Sequence, residues 1–414
     1  MANSLTAQYY FPPKTGSTWE TTDPLELGWC QDSIDALNTY LKNKDSKAFI
    51  ILKDGKIVLE EYYNNFGPDS AWYWASAGKT MMTFLIGRAQ EQGLLNINDS
   101  VSKHLGTGWT NMTPSQEGDI TIWHQLTMTT GIDFTQPDCT DPSCIKYRDE
   151  PGTFWYYYNP PYTLLRDVLE SATSKSVNNY MFTEVSLKTG ISGTWIKTGT
   201  NNVLFSKPRS MARFGSLMLN NGQWDGHSIL GETKYLNDAV NTSQSLNKSY
   251  GYLWWLNGKE SFRYPATTKQ FTGSIVEKAP ADMYAGIGKN GQYVAVIPSE
   301  NMVVVRMGDN PDEDLVPTAF ANEMFERITN LSCTNSTTAI PKSHWKAYPN
   351  PIESSGILSI EFNQGGIFQL YSITGELLFE KAIQLGLNSL EIQNLQAGIY
   401  LTRINGMVKK LIIQ

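Results

Sequence analysis

The chain has 414 residues, enough for one large core or two domains. Its net charge is −7 with only 18% charged residues, and it carries no basic patch, zinc-type cysteine spacing or glycine-rich phosphate loop, so nothing points to a nucleic-acid partner or a nucleotide. No apolar run is long enough to span a membrane, and 12 Trp and 21 Tyr among many uncharged polar residues suit an exported protein that handles organic or carbohydrate-like ligands.

The first residues, MANSLTAQYYFPP, lack the charged start and apolar centre of a signal peptide. An exported form is therefore expected to have lost its leader, with the stretch before Tyr9 as the residue of a cleavage region. Residues 9–28 are rich in Pro, Gly and Thr and read as an extended lead-in, giving an N-terminal extension over 1–29. Asp32 to Asn43 has apolar residues spaced for one buried helix face. A hairpin follows, with Ala48–Leu52 and Ile57–Tyr63 joined through Asp54-Gly55.

The stretch AWYWASAGKTMMTFLIGRAQEQGLL, from Ala71 to Leu95, predicts an amphipathic helix of about four turns ending near Gly93. At i,i+3, Ser76 and Lys79 share a face at its start, beside the unpaired N–H groups and positive end of the helix dipole. A desolvated lysine there can take the serine proton and make it a nucleophile. The plain alternative is an N-cap serine beside a solvent-facing lysine.

Ile120 to Met128 begins with a helix-cap signal, and His124 in its apolar surroundings reads as structural. Residues 132–156 are irregular, and long loops of this kind are commonly functional. They lead into Phe154-Trp155-Tyr156-Tyr157-Tyr158-Asn159, whose aromatics suggest an ordered wall over a site, with Trp155, Trp254 and Trp255 lining a pocket or packing in the core. Helices are expected over Tyr162–Ala172, Val177–Lys188, Pro208–Asn220 and Glu232–Asn241. Strands are expected over 250–256, Met283–Ile287, Tyr293–Ile297 and Met302–Met307, with a closing helix over Val316–Ile328. Beyond it, residues 336–352 read as a Ser/Thr/Asn/Pro-rich linker, and 353–414 as a small all-β module of about 60 residues.

Four cysteines are present. Cys139 and Cys144, in CTDPSC, could close a local disulfide, and Cys30 with Cys333 could tie the ends of the main domain, as befits an oxidising compartment. Reduced buried thiols are the alternative. Asp133, Asp138 and Asp141 form no convincing metal set, and neither a metal nor a cofactor is expected.

Over about residues 30–330 the chain resembles the serine β-lactamase and penicillin-binding-protein family, closest to its class C, esterase and 6-aminohexanoate-dimer-hydrolase branch. The resemblance rests on Ser76-x-x-Lys79, on Tyr157-Tyr158-Asn159 before an apolar helix, and on Lys289-Asn290-Gly291 after a strand. The register of the third motif stays open by one or two residues. ITIWHQLTMTTGI and KPRSMARFGSLMLNNGQWDG match further recurring segments.

The resemblance implies an α/β (α+β) hydrolase domain over 30–335. An antiparallel sheet would be flanked by helices, with an all-helical lobe and a small C-terminal β-sandwich beyond. It implies Ser76 as nucleophile, Lys79 or Tyr157 as base, and Tyr157 as proton relay to the leaving group. Asn159 would hold Lys79, Lys289 and Gly291 would meet substrate, and the amides of Ser76 and Gln292 would form an oxyanion hole. The substrates would be short esters or linear amides such as 6-aminohexanoate oligomers. The alternatives are a β-lactamase or D-alanyl-D-alanine carboxypeptidase, and an inactive surface binding protein. The tail, YSITGELLFEKAI with LQAGIYLTRINGMVKKLIIQ, resembles the sorting domains of type IX secretion. It implies the secretion machinery as partner and a secreted or cell-surface protein.

Overall fold

Strands Tyr284–Gly288, Gln292–Ile297 and Met302–Gly308 are buried at every position. A strand apolar on both faces needs a layer on each side of its sheet, and these form the centre of a six-stranded antiparallel sheet in a computed structural model. The described residues are 9–309, 311, 316–333, 345–362, 365–393, 395–404 and 407–414. We label the sheet strands β1 (Ser46–Lys53), β2 (Lys56–Tyr62), β3 (Trp255–Leu256), β4 (Tyr284–Gly288), β5 (Gln292–Ile297) and β6 (Met302–Gly308). Their order is β2-β1-β6-β5-β4-β3, so the first hairpin pairs with the last strand, as in Ile50 opposite Val305. The hairpin turn has Asp54 and Gly55 at φ 51° and 84°, the left-handed pair that matches strand twist. A side chain on Gly55 would strike the Tyr10 carbonyl.

Helices α1 (Gln31–Asn43), α2 (Lys79–Glu91), α3 (Pro208–Leu219) and α4 (Thr318–Thr329) are the long ones. Tyr40 of α1 stacks on Phe320 of α4, with centroids 5.7 Å apart, so the expected closing helix does pack beside the first. The Cys30–Cys333 disulfide ties these same two segments across 303 residues of sequence, and Cys139–Cys144 closes a loop across 5. Both expected bridges are formed. The short helices between Ser102 and Thr189 form the helical lobe.

Three expectations change. The 71–95 stretch opens with a 3₁₀ turn, Ala75–Gly78, and α2 is not amphipathic, because every residue from Lys79 to Gly87 is buried. Neighbours close on it from elsewhere in the chain: Tyr235 donates to the Thr83 carbonyl at 2.7 Å, and Thr83 Oγ1 donates to the Tyr252 carbonyl at 2.7 Å. The expected strand over 250–256 shrinks to Trp255–Leu256, because Leu253 takes a left-handed φ of 59° that breaks an extended run. The lead-in is built into the body: the Arg213 guanidinium donates to the Pro12 and Pro13 carbonyls, and Trp19 Nε1 donates to the Gly55 carbonyl. Residues 1–8, which include the proposed cleavage remnant, lie outside the described residues.

The chain divides into two compact units, Met1–Cys333 and Thr334–Gln414. The second has two antiparallel sheets, Trp345–Tyr348/Gly356–Phe362/Gly386–Ile392 and Leu377–Ile383/Gly366–Tyr371/Gly398–Ile404/Met407–Ile413. Alternate residues, among them Leu358, Ile360, Phe368, Leu370 and Ile404, point into a separate core. The expected linker ends earlier than 352, because Trp345 is 1% exposed and starts a strand opposite Phe362. Its residues 336–344 lie outside the described residues.

Loop-closure entropy ranks the two disulfides: about 6 kcal/mol for the long loop and about 2 kcal/mol for the short one. Cys30→Ser/Cys333→Ser is therefore expected to lower the calorimetric Tm of the first unit several times further than Cys139→Ser/Cys144→Ser.

Candidate active site

Ser76 is delivered by strand pairing that the sequence does not announce. Asn201–Ser206 forms a hairpin with Thr194–Thr198 and takes Trp72–Tyr73 as a third strand. The Trp74 N–H donates to the Leu204 carbonyl at 2.8 Å, and its indole Nε1 donates to Ser206 Oγ at 2.7 Å. Ala75 then adopts a left-handed φ of 46°, a strained conformation for a residue with a Cβ and one that clusters at functional sites. The 3₁₀ turn that follows leaves Ser76 half-buried at the head of α2.

Lys79 Nζ lies 2.8 Å from Ser76 Oγ and donates to it. The lysine is 3% exposed. The faces of Tyr162 and Tyr157 lie 4.4 and 5.1 Å from its Nζ. Burial pulls the Lys79 ammonium down to about 7, against a smaller opposing pull from the Asp138 carboxylate. Near neutrality the amine is therefore available to accept the Ser76 proton. Tyr157 is held by ring stacking on Trp255, with centroids 5.7 Å apart. Burial raises its phenol well above the usual range, and a hydrogen bond with Ser76 pulls the other way.

These groups open into a cavity of about 500 Å³. Ser76, Lys79, Tyr157, Asn159 and Lys289 all line it, drawn from three separate parts of the sequence. Asp138 is the one carboxylate among the described lining residues. Asn159 opens a short helix, with Pro160 and Pro161 in the first turn where proline fits. Its Nδ2 donates to Asp138 Oδ2 at 3.2 Å, so its hydrogen-bond partner is Asp138 rather than the expected Lys79.

The third motif is corrected in part. Lys289 and Asn290 occupy the turn directly after β4, as expected, with Asn290 at φ 63° and Gly291 at φ 69°. Gly291 packs against the Arg306 guanidinium and does not line the cavity. Gln292 is fully buried, its side chain bracketing Gly308 with bonds of 2.6 and 3.1 Å. The strand residue that meets the Ser76 turn is Gly288, where a Cβ would sit 3.0 Å from the Ser76 nitrogen. Trp155 is also withdrawn from the pocket: it is fully buried, edge-on to Tyr250 and Trp255.

Several residues that build the site carry no motif. Arg306, buried in β6, donates to the carbonyls of Asn290 (2.5 Å) and Gly291 (3.0 Å), and so pins the turn that bears Lys289. Asn290 Nδ2 donates to the Tyr73 hydroxyl at 2.7 Å, fastening that turn to the approach strand. Tyr162, only three residues after Asn159, was legible as a nearby aromatic but not as the ring over Lys79. His124 is structural, as expected: its Nδ1 accepts the Thr121 N–H at 3.1 Å, and burial lowers its pKa to about 4. Among the described residues no cluster of three or more His, Cys, Asp or Glu could hold a metal ion, and no helix is long and apolar enough to cross a membrane.

An antiparallel sheet packed on a helix whose head carries a Ser-Lys pair, with a tyrosine facing the serine, defines the serine-hydrolase type of fold found in β-lactamases and penicillin-binding proteins. The family model described as Beta-lactamase matches residues 42–317, and the chain belongs to that family. The model described as Secretion system C-terminal sorting domain matches residues 346–414, which makes this a secreted or cell-surface protein. The 6-aminohexanoate-dimer hydrolase of Paenarthrobacter ureafaciens is 21% identical over 68% of this chain and 79% of its own length. A solved structure from Bacillus anthracis, provisionally named a 6-aminohexanoate-dimer hydrolase, superposes with a TM-score of 0.60 at 18% identity, over 77% of this chain and 89% of that one. A penicillin-binding protein homolog from Caulobacter crescentus gives a TM-score of 0.55 at 13% identity, over 73% and 99%.

Two measurements follow from this geometry. The folded-state pKa of Lys79 lies below its unfolded value, so between about pH 7 and 10.5 the unfolded chain binds more protons and stability rises with pH. Lys79→Met should flatten that rise and increase Tm at pH 7, read by calorimetry across the window. Gly288→Ala should push β4 off the Ser76 turn and slow serine phosphonylation by a fluorophosphonate by about 100-fold; an unchanged rate would refute the close approach.

Proposed function

We propose that the protein is an acyl-transfer hydrolase with Ser76 as its nucleophile. The observation that carries this reading is the 2.8 Å contact between Ser76 Oγ and a buried Lys79 amine. Ser76 Oγ attacks a carbonyl carbon while its proton passes to neutral Lys79. The oxyanion is met by the Ser76 amide and the backbone amide at Lys289, which follows Gly288 at the end of β4. The bond to the leaving group breaks as the Tyr157 hydroxyl supplies its proton. Water, deprotonated by the same groups, then releases the acid and regenerates the serine.

The substrate we favour is a short ester or a linear amide, with 6-aminohexanoate oligomers as the leading amide. Asp138 and Lys289 give the cavity wall one negative and one positive charge beside the nucleophile. That set suits a linear molecule with charged ends of opposite sign, and the likeness to a 6-aminohexanoate-dimer hydrolase supports the same class. The C-terminal unit would hand the chain to a type IX secretion machinery.

The test is turnover of p-nitrophenyl acetate and butyrate, a linear aminohexanoate dimer, a chromogenic cephalosporin and a D-alanyl-D-alanine peptide, beside Ser76→Ala. Ester or dimer turnover lost in Ser76→Ala is expected, with kcat/KM rising through an acid limb near pH 7 as Lys79 deprotonates. Preference for the cephalosporin or the peptide would move the substrate to the lactam or peptidase class. No turnover and no phosphonyl adduct on Ser76 would leave a binding protein.

A further inference from the structure

We propose that the Cys139–Cys144 disulfide is a positioning device for Tyr157, tying its segment to the protein core. This rests on the hydrolase reading for its consequence in rate, but its geometry stands independently. Three hydrogen bonds from the residues directly after Tyr157 land on three successive residues directly before Cys139. The Tyr158 hydroxyl reaches the carbonyls of Gln136 (3.2 Å) and Pro137 (3.1 Å), and Asn159 Nδ2 reaches Asp138 Oδ2 (3.2 Å).

What holds 136–138 in turn is uneven. On the N-terminal side, Asp133 accepts from the Thr135 N–H at 3.0 Å and from Gln136 Nε2 at 2.8 Å. On the C-terminal side the chain from Pro137 to Ser143 is largely exposed and sends no large apolar side chain into the core. The first core anchor there is Ile145, which is 1% exposed and whose carbonyl accepts the Asn111 N–H at 2.9 Å. The disulfide joins that anchored end directly to the residue after Asp138. Cutting it leaves the 136–138 strip secured from one side only, and Tyr157 loses the support against which Tyr158 and Asn159 are braced.

A small displacement of Tyr157 is enough to matter, because an error of about 1 Å in a proton-transferring group costs on the order of 100-fold in rate. Partial loosening should therefore lower kcat by about tenfold, with KM changing less. The acid limb set by Lys79 should move little and only downward, since burial dominates that shift and the Asp138 carboxylate supplies the smaller, opposing pull. Tyr158→Phe removes two of the three bonds and should reproduce the loss. Adding it to Cys139→Ser/Cys144→Ser should cost nothing further, as expected for groups acting as one unit.

The experiment compares wild type, Cys139→Ser/Cys144→Ser, Tyr158→Phe and their combination, each checked for folding by calorimetry. Steady-state rates across pH are measured together with hydrogen exchange. Faster exchange over residues 156–160 with unchanged exchange in α2, and a kcat loss that does not multiply in the combined variant, support the proposal. Exchange over 156–160 equal to wild type in the cysteine variant overturns it, as do kcat losses that multiply. Were wild type to turn over none of the substrates, the hydrolase reading would fall and the exchange measurement alone would decide the role of the disulfide.

Discussion

A lysine amine buried against a serine hydroxyl is the constraint around which this molecule is built. Burying a charged ammonium is costly, and the protein meets the cost by lowering the Lys79 pKa and by turning two aromatic faces toward the nitrogen. Among the described residues no carboxylate forms an ion pair with it. A close carboxylate would hold the amine charged and leave it unable to accept a proton. The environment must therefore be dry, aromatic and rigid, and the surrounding architecture supplies each of these.

Dryness explains why α2 is buried from Lys79 to Gly87. A helix that displays Lys79 to the cavity needs packing behind and beside it, which Tyr235, Tyr252 and the β4 strand provide. Rigidity comes from segments far apart in sequence. The approach strand Trp72–Tyr73 is locked to Asn201–Ser206, and the Lys289–Asn290 turn is held by Arg306 below and Tyr73 beside it. The buried Arg306, pulled down to about 10 by desolvation, satisfies five oxygen acceptors with one side chain, including Ser46 and the Lys44 and Asp309 carbonyls. It works as a bracket between the start of β1 and the mouth of the site.

The two disulfides act on different lengths. Cys30–Cys333 spans nearly the whole first unit and restricts its unfolded chain, whereas Cys139–Cys144 closes a loop of a few residues at the cavity wall. Both belong to a chain that carries a sorting domain and works outside the reducing cytoplasm. The sorting unit has its own core of alternating strand residues with Trp345 at its start.

Much of this was legible in the residues. The i,i+3 spacing of Ser76 and Lys79 and the Asp54-Gly55 hairpin are local, and local geometry follows from local sequence. So is the alternation of the C-terminal strands. The buried character of β5 and β6 was equally plain in their apolar runs. The order Ser76, Lys79, Tyr157, Asn159 also pointed to one pocket. What failed to show was everything decided by contact between distant segments. Lys289-Asn290-Gly291 matched the third motif in spelling, yet the residue that must lack a side chain is Gly288, because it is there that the strand meets Ser76. Asn159 turned from Lys79 to Asp138, and Trp155 went to the core, because neighbours absent from their own segments fix where those side chains point. The sequence by itself determined the chemistry available and the elements that carry it. The tertiary structure decided the pKa of Lys79, the register of β4 against Ser76 and the partners of Arg306, since desolvation and side-chain contact exist only once the segments have packed.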